Sequence, residues 1–298
     1  MSGHARLTPF QLSQAQLAAL PVLGIAGNFA EHLNQAGEAA DFVAIATESA
    51  EAPKGLFPIY LPNQPSFLGV YPLSHERIVA DFSQTDQPPK LQIEPELALL
   101  LDVFYDATGQ VSGLAPVAFS AFNDCSNRIH APKISIKKNW GPASTGIAQH
   151  WFKLDDWGEH SDVQDYAIAC QHYRAGLLQA YGQTTPVKQY SYWNERLMSW
   201  MLKQLNTQLD EGPLEDMPAI LHALDYPKQL IVSLGATRYT AFGEQCYLQP
   251  GDQLSVWLVP LALVENLPSL AKETDEKLVS QGVIRLKQLV QDVQCAKQ

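Results

Sequence analysis

The spacing of apolar and polar positions along the 298-residue chain changes twice, and each change predicts a different kind of element. From Pro53 to Pro89, Pro58, Pro62, Pro65, Pro72 and Pro88 interrupt any helical repeat. Proline lacks the N–H of a helical hydrogen bond and clashes with the preceding turn, so strands and loops are expected there. Glu96–Tyr105 (ELALLLDVFY) is a near-continuous apolar run closed by the turn-prone Asp106–Gly109, which predicts a buried strand. Ile231–Leu234 and Leu254–Val259 predict two more. In between the period turns helical: Val163, Tyr166, Cys170, Tyr173 and Leu177 recur at three and four residues, with Ser161 placed to cap and Gly182 to end the helix. A second helix is expected over Tyr192–Leu209, and a last one through Val283, Leu286, Val290 and Val293 after a Pro268–Ser269 start. The pattern predicts one β-rich α+β domain over residues 1–298, with a helical insertion at about 156–228 and a C-terminal helix.

Composition narrows the function. With 46% hydrophobic residues the chain can bury a large core. Its 31 acidic against 20 basic residues, a formal charge of -11, argue against a nucleic-acid or anionic-membrane partner. The one basic cluster, Lys133–Lys138, is short and also fits a solvated loop. Cysteines at 125, 170, 246 and 295 form no Cys-x-x-Cys pair and have no clustered histidines beside them, which speaks against a zinc site or a disulfide framework. Met1–Leu20 lacks the basic start and apolar core of a secretion signal, and no apolar run reaches the length of a membrane helix, so a cytoplasmic location is expected.

Three segments carry candidate chemistry. In Glu94–Pro95–Glu96 the two carboxylates, two apart at the start of a strand, point to one face. At about 4 Å they repel by roughly 4 kcal/mol at an effective dielectric near 20, which a cation or a shared proton would relieve. All-oxygen ligands suit magnesium or manganese, and calcium, better than zinc. The same alternation also fits a solvent-facing strand edge. Asp124, in Phe119–Arg128 (FSAFNDCSNR), is placed to complete a metal shell or to close an Asx-turn. His32 follows the glycines of Gly24–Glu31 (GIAGNFAE) and is placed either as a general base or as a capping residue.

The order of these segments adds what none carries alone. Asn28–His32 (NFAEH), Ile93–Ala98 (IEPELA), Asn123–Arg128 (NDCSNR) and Leu248–Asp252 (LQPGD) together resemble the fumarylacetoacetate hydrolase family. Its enzymes carry Gly-Leu-Asn-Tyr-x-x-His, Tyr-Glu-x-Glu-Leu-Ala, Asn-Asp-Val-Ser-Ala-Arg and Leu-x-Pro-Gly-Asp in that sequence. The likeness runs over about residues 21–260 and is poor after Asp155. It implies that family's fold of mixed sheets and a homodimer. It further implies that Glu94, Glu96 and Asp124 bind a divalent cation, Mg2+ or Mn2+, or Ca2+. The catalytic residues it implies are His32 and a lysine, for which Lys138 matches best and Lys133 or Lys137 can substitute; Asn28, Arg128 and Thr237 would be substrate contacts. The implied reaction is hydrolytic or lyase-type cleavage of a carbon–carbon bond in a small oxo acid of the acylpyruvate or fumarylacetoacetate type. An oxo-acid decarboxylase or tautomerase, and an inactive binding homologue, are the alternatives. Three positions depart from the family. Gln35 stands where the family's water-activating glutamate falls, which puts hydrolysis in question, with Glu31 and Glu38 the nearest substitutes. Gly235-Ala236-Thr237 replaces a Gly-Thr-Pro turn, and Leu61 replaces a substrate-side lysine.

Overall fold

The computed structural model describes residues 7–29, 31–83 and 88–295. Its largest sheet runs, in spatial order, through Pro9–Gln11, His150–Lys153, Val111–Asn123, Pro95–Tyr105, Gln229–Ser233, Val22–Ala26 and Gly55–Tyr60, with Leu73–Ser74 and Thr145–Ile147 attached beside it. Pro95–Tyr105 is central. Its odd residues Leu97, Leu99 and Leu101 enter one core with Phe119, Leu254, Val256, Leu258 and Leu286, while Ala98 and Leu100 enter another with Phe122, Trp151 and Ile231. A strand buried on both faces has no polar side to show, which is why the sequence there is a continuous apolar run.

The second sheet, ordered Leu177–Pro186, Tyr166–Arg174, Gln253–Pro260, Ile284–Asp292 and Arg77–Ala80, packs against Pro95–Tyr105 and Val111–Asn123. The fold is thus α+β and rich in mixed sheets, as expected. The strands expected at 96–105, 231–234 and 254–259 are Pro95–Tyr105, Gln229–Ser233 and Gln253–Pro260, and the helix expected over 192–209 is Asn194–Thr207. Strands and turns fill the proline-rich stretch, of which residues 84–87 lie outside the described residues.

Two expected helices are strands. Val163–Leu177 is not an α-helix: after the short 3-10 turn Asp162–Asp165, Tyr166–Arg174 and Leu177–Pro186 form an antiparallel hairpin, so α-helix within 156–228 is confined to its later part. The hairpin turns at Ala175–Gly176, whose φ values of 49° and 87° are both positive, as a two-residue turn between twisted strands requires. Tyr173 and Leu177, expected on a buried helix face, are exposed. The C-terminal stretch is the strand Ile284–Asp292, and the helices before it, Leu267–Leu270 and Asp275–Ser280, are short. Its inward positions Ile284, Leu286, Gln288 and Val290 alternate with period two, and the polar Gln288 among them hides the alternation.

Candidate metal centre

Three loops meet at one end of the central strand because of the sheet register. Val22–Ala26 and Gln229–Ser233 run parallel, with Ser233 opposite Gly24, so both chains leave the sheet at the same edge. One continues through Gly27 to His32, the other to Gly235. Val111–Asn123 returns antiparallel to Pro95–Tyr105, placing Asn123 opposite Pro95 and delivering Asp124 beside Glu94. Asn123 fixes this junction: its Oδ1 accepts from the Glu94 N–H at 3.1 Å, and its Nδ2 donates to Gln288 Oε1 at 2.9 Å. The Asp124 N–H donates to the Glu94 carbonyl at 3.0 Å.

Glu94, Glu96 and Asp124 are buried, and each offers an oxygen within 4.8 Å of the others. Their surroundings differ. Glu94 pairs with both Arg128 Nη2 and Lys138 Nζ, and His32 Nε2 lies 3.6 Å from its Oε1. Burial pushes the Glu94 carboxyl up, but Lys138 and Arg128 outweigh it and hold the group well below the usual carboxylate range. Glu96 Oε2 accepts the Gly235 N–H at 2.7 Å and, among the described residues, pairs with no cation. Burial, then the charge of Asp124, push its carboxyl well up, with Glu94 adding to the effect. Asp124 pairs through Oδ2 with Lys138 at 2.7 Å, while its buried Oδ1 has no partner among the described residues. Burial raises its pKa to about 6 against the pull of Lys138.

An outer ring of charge surrounds this cluster. Arg128 is fixed by Gln92 at 2.8 Å, Glu38 at 2.9 Å and the Tyr239 hydroxyl at 2.7 Å, besides Glu94. Lys137 joins Glu38 at 3.3 Å to Asp41 at 2.8 Å. With all of Glu38, Asp41, Glu94, Glu96 and Asp124 ionised against Arg128, Lys137 and Lys138, the cluster would carry two uncompensated negative charges. One divalent cation would balance it. The orphaned Asp124 oxygen, the weakly partnered Glu96 and the all-oxygen donor set fit a hard cation.

Not every residue singled out in the sequence faces the cluster. His32, Lys138 and the three carboxylates line a cavity of about 20 Å³, room for one water or ion, with Glu38, Phe57 and Ala236 among its other walls. Lys133 turns away to Asp210 and the carbonyls of Gly212 and Leu214, so Lys138 is the lysine at the carboxylates. Asn28 does not line this cavity: its amide bonds the Tyr192 N–H and the carbonyls of Tyr192 and Leu234. Arg128 is likewise an internal counter-ion, every nitrogen engaged. Thr237 is fully buried against Gly182, its hydroxyl without a partner among the described residues, and Ala236 takes the cavity-facing place.

Gln35 clamps the backbone of Tyr239, accepting from its N–H at 3.0 Å and donating to its carbonyl at 3.4 Å. Glu31 is exposed and lies 3.4 Å from Arg238. Residue 30, within the His32 motif, lies outside the described residues. The roles of Tyr239 and Asp41, and the bridge that Lys137 makes between Glu38 and Asp41, had no sequence signal, since their partners are distant in the chain or outside any motif. Asp252, last of the four motifs, serves the fold: it accepts from Gln249 N–H at 2.8 Å and from both Nε and Nη2 of Arg174 at 2.6 Å, with His172 Nε2 at 3.0 Å.

Comparison with known proteins agrees with this architecture. Cg1458, solved with an inhibitor, is 15% identical, with 92% of this chain and 77% of that chain covered at a TM-score of 0.50. A 2-keto-3-deoxyarabinonate dehydratase is 12% identical, with 91% and 73% covered at 0.50. A fumarylacetoacetate hydrolase from psychrophilic Exiguobacterium antarcticum is 15% identical, with 92% and 75% covered at 0.49. No curated protein matches. Among the described residues no helix is long and apolar enough to cross a membrane. A family model described as a family of unknown function (DUF5718) matches residues 38–290. The chain belongs to that family, and its fold is the one it shares with Cg1458 and the 2-keto-3-deoxyarabinonate dehydratase.

Proposed function

We propose that this chain is a divalent-cation-dependent enzyme acting on a small 2-oxo acid, with Glu94, Glu96 and Asp124 holding the cation. The observation that carries this reading is the buried convergence of three carboxylates within 4.8 Å, with one oxygen orphaned. Burying such a group without a cation or shared protons is costly. Magnesium or manganese suits the oxygen donors, and would supply Lewis-acid polarisation of the substrate carbonyl and stabilisation of an enolate's charge. The name of the 2-keto-3-deoxyarabinonate dehydratase marks a keto-acid substrate on a related fold, which supports the substrate class by analogy alone.

The chain's own residues divide the remaining work. Lys138 presents a permanent positive charge to negative charge developing on the substrate. His32, with Nδ1 unpartnered among the described residues and Nε2 beside Glu94, moves a proton to or from the reacting carbon. Water activation is less well served, because Gln35 is tied to Tyr239, Glu31 to the exterior, and Glu38 to Arg128 and Lys137. Enolate-forming lyase, decarboxylase or tautomerase chemistry is therefore favoured over hydrolysis. The test is consumption of oxaloacetate and of an acylpyruvate by purified protein with magnesium, manganese or chelator. Cation-dependent turnover, faster on oxaloacetate, is expected; no cation-dependent turnover of any 2-oxo acid would favour a binding homologue instead.

A further inference from the structure

We infer that Lys138 and a divalent cation compete for the same carboxylate oxygens, so that Lys138 sets the site's cation affinity and is freed for a substrate as the cation binds. This rests on the metal reading above. An ammonium has three N–H donors. Lys138 has an acceptor for each: Glu94 Oε2, Asp124 Oδ2 at 2.7 Å and the Asp124 carbonyl at 3.1 Å. It is buried, with its Nζ 5.6 Å from the centroid of the Phe57 ring. Held this way, Lys138 has no donor left for a substrate.

The carboxylate oxygens lead to the same point. A cation can take the orphaned Asp124 Oδ1 without breaking a bond. From Glu94 it must take an oxygen that already faces Arg128 or Lys138. Arg128 is fixed by Gln92, Glu38 and Tyr239 as well, whereas Lys138 has, among the described residues, no side-chain hydrogen-bond partner beyond the two carboxylates. Repulsion from an adjacent divalent charge therefore moves Lys138 first.

The experiment is calorimetric titration of manganese into chelator-treated wild type, Lys138→Met, and each carrying Glu96→Gln. Lys138→Met should bind manganese at least about tenfold tighter than wild type, and Glu96→Gln should weaken binding in both backgrounds. A lysine that only supports the structure would give the opposite sign. Equal or weaker binding by Lys138→Met, with wild type still binding through Glu96, overturns the competition and leaves the metal reading intact. No binding by either protein overturns both. Should Lys138→Met not fold, a manganese-bound crystal structure of the wild type decides: Lys138 Nζ must have left Glu94 Oε2 or Asp124 Oδ2, and retention of both bonds overturns the inference.

Discussion

Gly235 meets two demands at once. Its N–H donates to Glu96 at 2.7 Å, and its φ of +106° is a conformation that side chains resist. A Cβ there would lie 3.2 Å from Asn28 Cβ and 3.3 Å from the Ile25 carbonyl. Gly235→Ala should lower stability by about 1–3 kcal/mol in urea titration and weaken cation binding with it. Gln35 has an equally local role. Gln35→Glu turns the donor facing the Tyr239 carbonyl into an acceptor, so about 1–2 kcal/mol of stability should be lost, with no gain in acylpyruvate hydrolysis. A selective rise in hydrolysis would show that a carboxylate at 35 reaches His32. That Glu94, Glu96, Asp124 and His32 lie together was legible from motif order and strand parity, whereas Lys138 was one of three lysines until the fold turned Lys133 toward Asp210 and Lys137 toward Glu38 and Asp41. The duties of Asn28, Arg128 and Gln35 were not legible, since each is defined by a partner far along the chain: Tyr192, Glu38 and Tyr239.

At the scale of elements, a continuous apolar run marks the strand Pro95–Tyr105, buried on both faces, whereas apolar positions broken by polar ones mimic a helical period at Tyr166–Arg174 and at Ile284–Asp292. Five of the first six positions of Tyr166–Arg174 are buried, so its apolar residues fit a helical period as readily as a strand. The Ala175–Gly176 turn was the better signal. Long-range anchoring is visible at Gly55–Tyr60, the last strand in the order of the large sheet. Gln208, just past the helix Asn194–Thr207, accepts from Leu56 N–H at 2.7 Å and donates to its carbonyl at 2.7 Å, standing in for a neighbouring strand. Gln208→Ala leaves both buried groups unpaired and should cost on the order of 3 kcal/mol by chemical denaturation. A loss within about 0.5 kcal/mol, the range of an ordinary surface change, would show that the strand does not depend on it.

For the whole molecule, acid stability reports Asp252. Burial raises its carboxyl, but Arg174, His172 and the Gln249 N–H outweigh that and bring it to about 2. A carboxylate depressed by folding contributes its stability above the unfolded value, near 4, and loses it as pH falls toward 2. Asp252→Asn should therefore be less stable by about 2 kcal/mol at neutral pH, with the difference shrinking between about pH 4 and pH 2. A difference independent of pH would assign the cost to packing.

The central claim, that Glu94, Glu96 and Asp124 hold a divalent cation, is tested most directly by thermal unfolding with and without magnesium or manganese. A ligand bound only by the folded state adds RT ln(1 + [L]/Kd), about 2.7 kcal/mol at a hundredfold excess over Kd. Wild type should gain that stability. Glu96→Gln should lose most of the gain while being at least as stable as wild type under chelator, because it removes a buried carboxylate that the protein leaves poorly compensated. No cation-dependent shift in wild type, or an equal shift in Glu96→Gln, would contradict the account.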